Sequence, residues 1–186
     1  MTNFLPLYNS EYDLAKALVL KENRAYQLFY DRFSGKLLAI CSRYISDRMA
    51  AEDVMVEGIM KVFEKVGQFS FSGSFEGWVK RLIVNEALMF LRSKKLFDVD
   101  ISQASEIGQN IDFDTDFELE ELIEMINELP IGYRTVFNLY AIEGYSHAEI
   151  AGMLGISEGT SKSQLSRARM ILQEKLKKKE LNNSIY

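Results

Sequence analysis

A chain of 186 residues has room for one ordinary domain or two small ones, and 47% hydrophobic with 12% aromatic residues supplies a packed core, against global disorder. The single cysteine, Cys41, excludes a disulfide framework and a thiolate metal cluster, and two prolines with 11 glycines favour long helices over many tight turns. The net charge of −5 is uneven: residues 1–97 carry +3, residues 98–130 hold eleven acids and no base, and residues 131–186 carry +3.

The first residues, MTNFLPLYNSEYD, lack the basic flank and apolar run of a signal peptide. No window approaches the roughly 20 apolar residues of a membrane-spanning helix, so a soluble, cytoplasmic protein is expected. Tyr26, Phe29, Phe33, Leu37, Ile40 and Tyr44 recur every three or four residues, one stripe of a long helix that Ser46-Asp47 interrupts. Cys41 sits near that stripe and reads as core. A second helix from about Ala50 carries Val54, Ile59, Val62, Phe63 and Val66, with Gly67 as its expected C-terminal cap. After a Ser-, Gly- and Phe-rich loop over 68–77, a third helix runs to Lys95 with Trp78, Leu82, Asn85, Leu88 and Leu91 on one side. Residues 98–117 have no sustained period and read as an acidic linker. Leu119, Leu122, Ile123, Ile126 and Leu129 form the next helix, stopped by Pro130; Tyr133, Val136, Phe137 and Tyr140 form another, ending near Gly144. The expected fold is all-α: two small helical domains, 1–97 and 118–186, joined by the linker.

Ser146 followed by Glu149 is a capping box ahead of a short helix with Ala148, Ile150, Ala151 and Leu154. Gly155 allows a turn, Ile156 plugs the junction, and Ser157 caps a second helix from Glu158 to about Lys175. Its apolar side is Leu165, Ala168, Leu172 and Leu176. Its other side is expected to present Thr160, Lys162, Ser163, Gln164, Ser166, Arg167 and Arg169. Such a helix-turn-helix face suits DNA: Gln pairs with adenine, Arg with guanine, and the cations meet phosphate. An ordinary helical hairpin with a solvated polar face has the same spacing.

The run GYSHAEIAGMLGISEGTSKSQLSRAR, 144–169, closely resembles region 4.2 of extracytoplasmic-function (ECF) sigma factors, and ELPIGYRTVFNLYAIEGYS before it resembles region 4.1. AEDVMVEGIMKVFEKVGQF, 51–69, is similar to region 2.2 and the start of 2.3; SFEGWVKRLIVNEALMFLRSKK, 74–95, is similar to regions 2.3 and 2.4. The resemblance implies docking of region 2.2 on the clamp helices of the largest subunit of RNA polymerase, through Asp53 and Glu57; a solvated acidic face is the alternative. It implies that Phe69, Phe71, Ser72, Lys80, Arg81, Arg92, Lys94 and Lys95 serve recognition and melting of the −10 element, which needs aromatic surfaces beside positive charge. Phe75 and Trp78 are expected in the core, and the 68–77 loop is the better candidate for capturing a flipped base. Region 4 would read the −35 element through the second helix. Two positions depart from the commoner pattern: Ser161 stands where Val is frequent, and Gln164 where Arg is frequent. The acidic linker would thread the polymerase's basic cleft, or simply solubilise. An anti-sigma protein is the further partner implied.

No catalytic constellation emerges. His147 is the only histidine and is expected to be solvent-exposed or DNA-proximal. No metal site, cofactor or small-molecule substrate is expected, and no enzyme. A stand-alone helix-turn-helix regulator, dimeric on palindromic sites, is the alternative function, and an adaptor that no longer touches DNA a third. The lysines 177–179 read either as phosphate contacts or as a solvated helix end.

Overall fold

The structure, a computed structural model, describes Tyr8, residues 10–94 and residues 119–183, with side chains in the last stretch described from 122 to 178. Lys95 and the expected linker over 98–117 lie outside the described residues. The chain divides into two compact units, Met1–Phe90 and Leu91–Tyr186. Among the described residues every regular element is helical.

The first unit opens with a helix the sequence reading did not anticipate, α1 (Glu11–Val19), capped by the Ser10 hydroxyl accepting from the Asp13 N–H at 3.1 Å. It buries Leu14, Ala15, Ala17 and Leu18. Helix α2 (Asn23–Tyr44) realises the expected stripe, with Phe29, Phe33, Leu37, Ile40 and Tyr44 buried and Tyr26 edge-on to Phe63. Cys41 is fully buried in it, and burial pushes its thiol up to about 12, a packed sulfur with no reactive thiolate.

Asp47 then caps α3 (Arg48–Lys65), its carboxylate accepting from the Ala50 N–H at 2.8 Å. Gly67 is not the cap expected of it. The helix ends at Lys65 and tightens into a 3₁₀ turn, Val66–Gln68, and Gly67 keeps a negative φ.

Helix α4 (Phe75–Ser93) buries Leu88 and Leu91 as expected, but its first turns are rotated from the expected phase: Phe75, Val79 and Ile83 are buried, while Asn85 is exposed and Trp78 and Leu82 are half-buried. The contact with α3 sets that phase. A Cβ on Gly58 would stand 2.5 Å from the Ile83 Cδ1, so the glycine lets α4 press Ile83 against α3. Beside it the buried Glu86 carboxylate accepts from the Lys61 ammonium at 2.6 Å, which a carboxylate in that position requires.

The second unit comprises α5 (Leu119–Asn127), α6 (Ile131–Phe137), a π turn (Asn138–Ile142), α7 (His147–Leu154) and α8 (Glu158–Asn183). Its core gathers Ile126, Leu129, Val136, Leu139, Ile150, Leu165, Ala168 and Leu172. Arg134, buried, donates to the Asn127 carbonyl at 2.7 Å and so closes the C-terminal end of α5, where carbonyls favour a cation. Val136 and Phe137 pack inward as expected, but Tyr140 is carried outward by the extra residue of the π turn. Helix α8 continues beyond the expected end near Lys175, to Asn183.

Candidate nucleic-acid interface

The α7–α8 pair is held by local chemistry. Ser146 and Glu149 form the reciprocal capping box: the Ser146 hydroxyl accepts from the Glu149 N–H at 3.3 Å, and the Glu149 carboxylate accepts from the Ser146 N–H at 2.8 Å. Gly155 takes φ +70°, a conformation glycine adopts without a Cβ penalty, and the N–H groups of Gly155 and Ile156 both donate to the Ala151 carbonyl. Ser157 caps α8 by accepting from the Thr160 N–H at 3.0 Å.

Helix α8 then separates its two faces. Ser161, Gln164, Leu165, Ala168 and Leu172 are buried; Lys162, with a 63% exposed side chain, and the half-exposed Ser163, Ser166 and Arg167 point away from that core. Gln164 is therefore a correction to the expected reading face. It is 9% exposed, its carboxamide 3.6 Å from where a Cβ on Gly132 would sit, so it packs across α6. Thr160 turns back to Ser157 at 2.8 Å, and the Ser163 hydroxyl donates to the Thr160 carbonyl at 3.0 Å. Lys162 stands 3.9 Å from Glu158, a loose exposed pair that a phosphate can displace.

His147 is an interhelical brace and not a fully exposed side chain. It is half-buried, with Nδ1 2.9 Å from the Ser161 hydroxyl and the ring stacked on Tyr140 at 4.6 Å and 22°. The Arg169 guanidinium lies 5.8 Å from the Tyr140 ring centre, within cation–π range. Burial first, then the Lys162 and Arg169 charges, hold the imidazole below its usual pKa, with Glu158 opposing.

In the first unit, Asp53 and Glu57 are exposed on α3, as a docking role requires. With them stand three apolar side chains that sequence reasoning missed: Met49, Val56 and Met60, exposed at 76%, 50% and 54%. Their spacing of seven and four residues is out of phase with the buried Ala51, Met55, Ile59 and Val62, and that offset was the available signal.

The loop after α3 sorts its phenylalanines. Phe69 is 4% exposed, 5.2 Å from Phe75 and 5.7 Å from Trp78 between ring centres, so it is core and not a base-stacking surface. Phe71 is 39% exposed and holds φ +57°, unusual for a bulky L-residue. Ser72 is exposed, its hydroxyl 2.6 Å from that of Ser70, and Gly73 turns the chain at φ +90°. On α4, Lys80 pairs with Glu76 at 3.0 Å, and Lys36 pairs with it at 3.1 Å, which lowers the Glu76 pKa, Lys80 contributing most. Arg81 and Arg92 are exposed on one side of α4, three turns apart with Asn85 and Met89 between them, and Lys94 is exposed just beyond the helix. Among the described residues no group of His, Cys, Asp or Glu is placed to hold a metal ion, and no helix is long and apolar enough to cross a membrane.

The family described as Sigma-70 region 2 matches residues 29–97, and that described as Sigma-70, region 4 matches residues 119–172. An ECF RNA polymerase sigma-E factor from Haemophilus influenzae is 26% identical over 169 residues, covering 83% of this chain and 89% of its own length. An RNA polymerase sigma-H factor from Pseudomonas aeruginosa is 27% identical, with 83% and 88% covered. The sigma factor RpoE from Bartonella quintana, solved with the anti-sigma factor NepR, superposes with a TM-score of 0.51 at 25% identity, over 82% of this chain and 96% of that one.

Proposed function

The chain belongs to the sigma-70 family, in its extracytoplasmic-function group, and from that premise we propose how its surfaces divide the work of starting transcription. As a sigma factor it binds core RNA polymerase and directs promoter-specific initiation; the polymerase, not this chain, performs the chemistry. The observation that carries this is the presence of both sigma regions, in order, on one chain. A stand-alone regulator needs the second alone.

In the proposed division, residues 1–97 act as region 2, residues 98–117 as the connector and residues 118–186 as region 4. The α3 face of Met49, Asp53, Val56, Glu57 and Met60 docks on the polymerase clamp helices, its apolar centre ringed by acids. Phe71 and Ser72 meet an unstacked −10 base, and Arg81, Arg92 and Lys94 follow the strand's phosphates. Lys162, Ser163, Ser166 and Arg167 enter the major groove of the −35 element, with Thr160 and Arg169 at its edges. Gln164 and Phe69 are left out because both are buried. An anti-sigma protein that covers the α3 face is the proposed inhibitor, in keeping with the Bartonella quintana relative. The proposed compartment is the cytoplasm, where the polymerase works.

Transcription by core polymerase on genomic promoters, with and without this protein, is the test. Specific starts only in its presence are expected. Tight duplex binding with no core association would overturn the reading in favour of a stand-alone regulator.

A further inference from the structure

We infer that α1 belongs to the strand-opening apparatus, with Tyr12 a positioning residue that sets the loop over 70–74 so that Phe71 is presented outward. This rests on the proposed reading of that loop as the site of base capture. Helix α1 precedes the span 29–97 matched to region 2, so nothing in that match assigns it a part.

The geometry is specific. The Tyr12 hydroxyl donates to the Gly73 carbonyl at 2.8 Å, across 61 residues of sequence. Its ring stacks on Phe69 at 6.2 Å and stands 6.3 Å from Phe71. The neighbouring Glu11 carboxylate accepts from the Glu76 N–H at 3.1 Å, at the start of α4. Helix α1 thus grips the loop at its far turn and the helix that follows it.

The loop needs such a grip. Phe71 sits at φ +57°, a conformation an L-residue keeps only where its surroundings over-determine it. Its ring centre is already 5.0 Å from buried Phe69, so a relaxed loop has an apolar surface on which Phe71 can collapse. The bond from Tyr12 fixes Gly73 at φ +90°, the turn that keeps the chain open. Tyr12 is itself exposed, off the face that buries Leu14 and Leu18, so its hydroxyl is not what attaches α1 to the core.

The test uses holoenzyme on a promoter it transcribes, with 2-aminopurine at the upstream −10 base, whose fluorescence rises when that base leaves the stack. Base discrimination is measured on promoters carrying each alternative base there. Tyr12→Phe keeps the ring and removes the hydroxyl; Phe71→Ala tests the loop itself. One neutral hydrogen bond changes an equilibrium by about fivefold, so Tyr12→Phe is expected to lower promoter opening by about that factor. It should also narrow base discrimination, with core affinity unchanged and the unfolding midpoint lowered by only a few degrees. Impaired opening in Phe71→Ala with normal opening in Tyr12→Phe would overturn the role of α1 and leave the loop reading standing. Normal opening in both would overturn both. A defect in Tyr12→Phe matched by an equal loss of core affinity would make Tyr12 a structural residue only, and the inference wrong.

Discussion

Replacing Gln164 by Ala separates a packing residue from a reading residue. The side chain is 9% exposed and lies across Gly132, so truncation to Cβ removes one buried methylene, Cγ, and a carboxamide from the α6–α8 contact. At about 0.8 kcal/mol per buried methylene the loss is about 0.8 kcal/mol. The better helix propensity of alanine returns only a few tenths of a kcal/mol. For a unit of this size a net loss of about 0.5 kcal/mol lowers Tm by roughly 2–4 °C. Trp78, the only tryptophan, lies in the first unit, so its fluorescence reports that unit while circular dichroism follows both. The expected result is a circular dichroism transition shifted down without a matching shift in fluorescence, and an unchanged ranking of −35 sequences by the holoenzyme. Unchanged stability with an altered base preference at one −35 position would refute the placement of Gln164 in the core.

Lys162→Ala should weaken binding to all −35 sequences alike and reduce the slope of log K against log salt by about 1, with Tm unchanged; salt titrations of duplex binding measure this, and a change in sequence ranking would contradict a phosphate role. Val56→Glu places a charge in the exposed apolar centre of α3 and should cut core-polymerase affinity about tenfold or more while leaving the circular dichroism spectrum as it was. The second unit should lose stability as pH falls from about 6.5, the ordinary imidazole value, down through the lower folded-state pKa of His147, because over that range the unfolded chain binds the proton more readily. His147→Gln should flatten this dependence, and an unchanged pH profile in that variant would show another group to be responsible.

What was legible in the sequence was what local chemistry decides. The α7–α8 pair could be read because its boundaries lie in short-range signals: Ser146 with Glu149, Gly155, then Ser157. The α2 stripe could be read because 22 residues of consistent period leave one phase. Helix α1 was missed because it is nine residues long and its partner, Gly73, is 61 positions away. The phase of α4 turned on the close approach at Gly58, a tertiary fact, which chose Val79 and Ile83 over Trp78 and Leu82. Phe69 and Phe71 are chemically identical, and only the fold decides which enters the core. Gln164 was different, since its position was readable. Three residues after Ser161 and four before Ala168, it falls on the buried side by helical period; its hydrogen-bonding chemistry suggested the groove instead.

The separation of faces on α8 has a consequence for how such a protein diverges. Ser161, Gln164, Leu165 and Ala168 hold the helix in place, whereas the exposed Lys162 contributes little to that hold. Exposed substitutions of this kind typically change stability by about 0.5 kcal/mol or less. On the proposed reading of that face, a duplicated copy can change outward residues such as Lys162 while its fold stays intact, and so acquire a different set of target genes. The inward residues have no such freedom: they are the fixed socket into which a changing key is set.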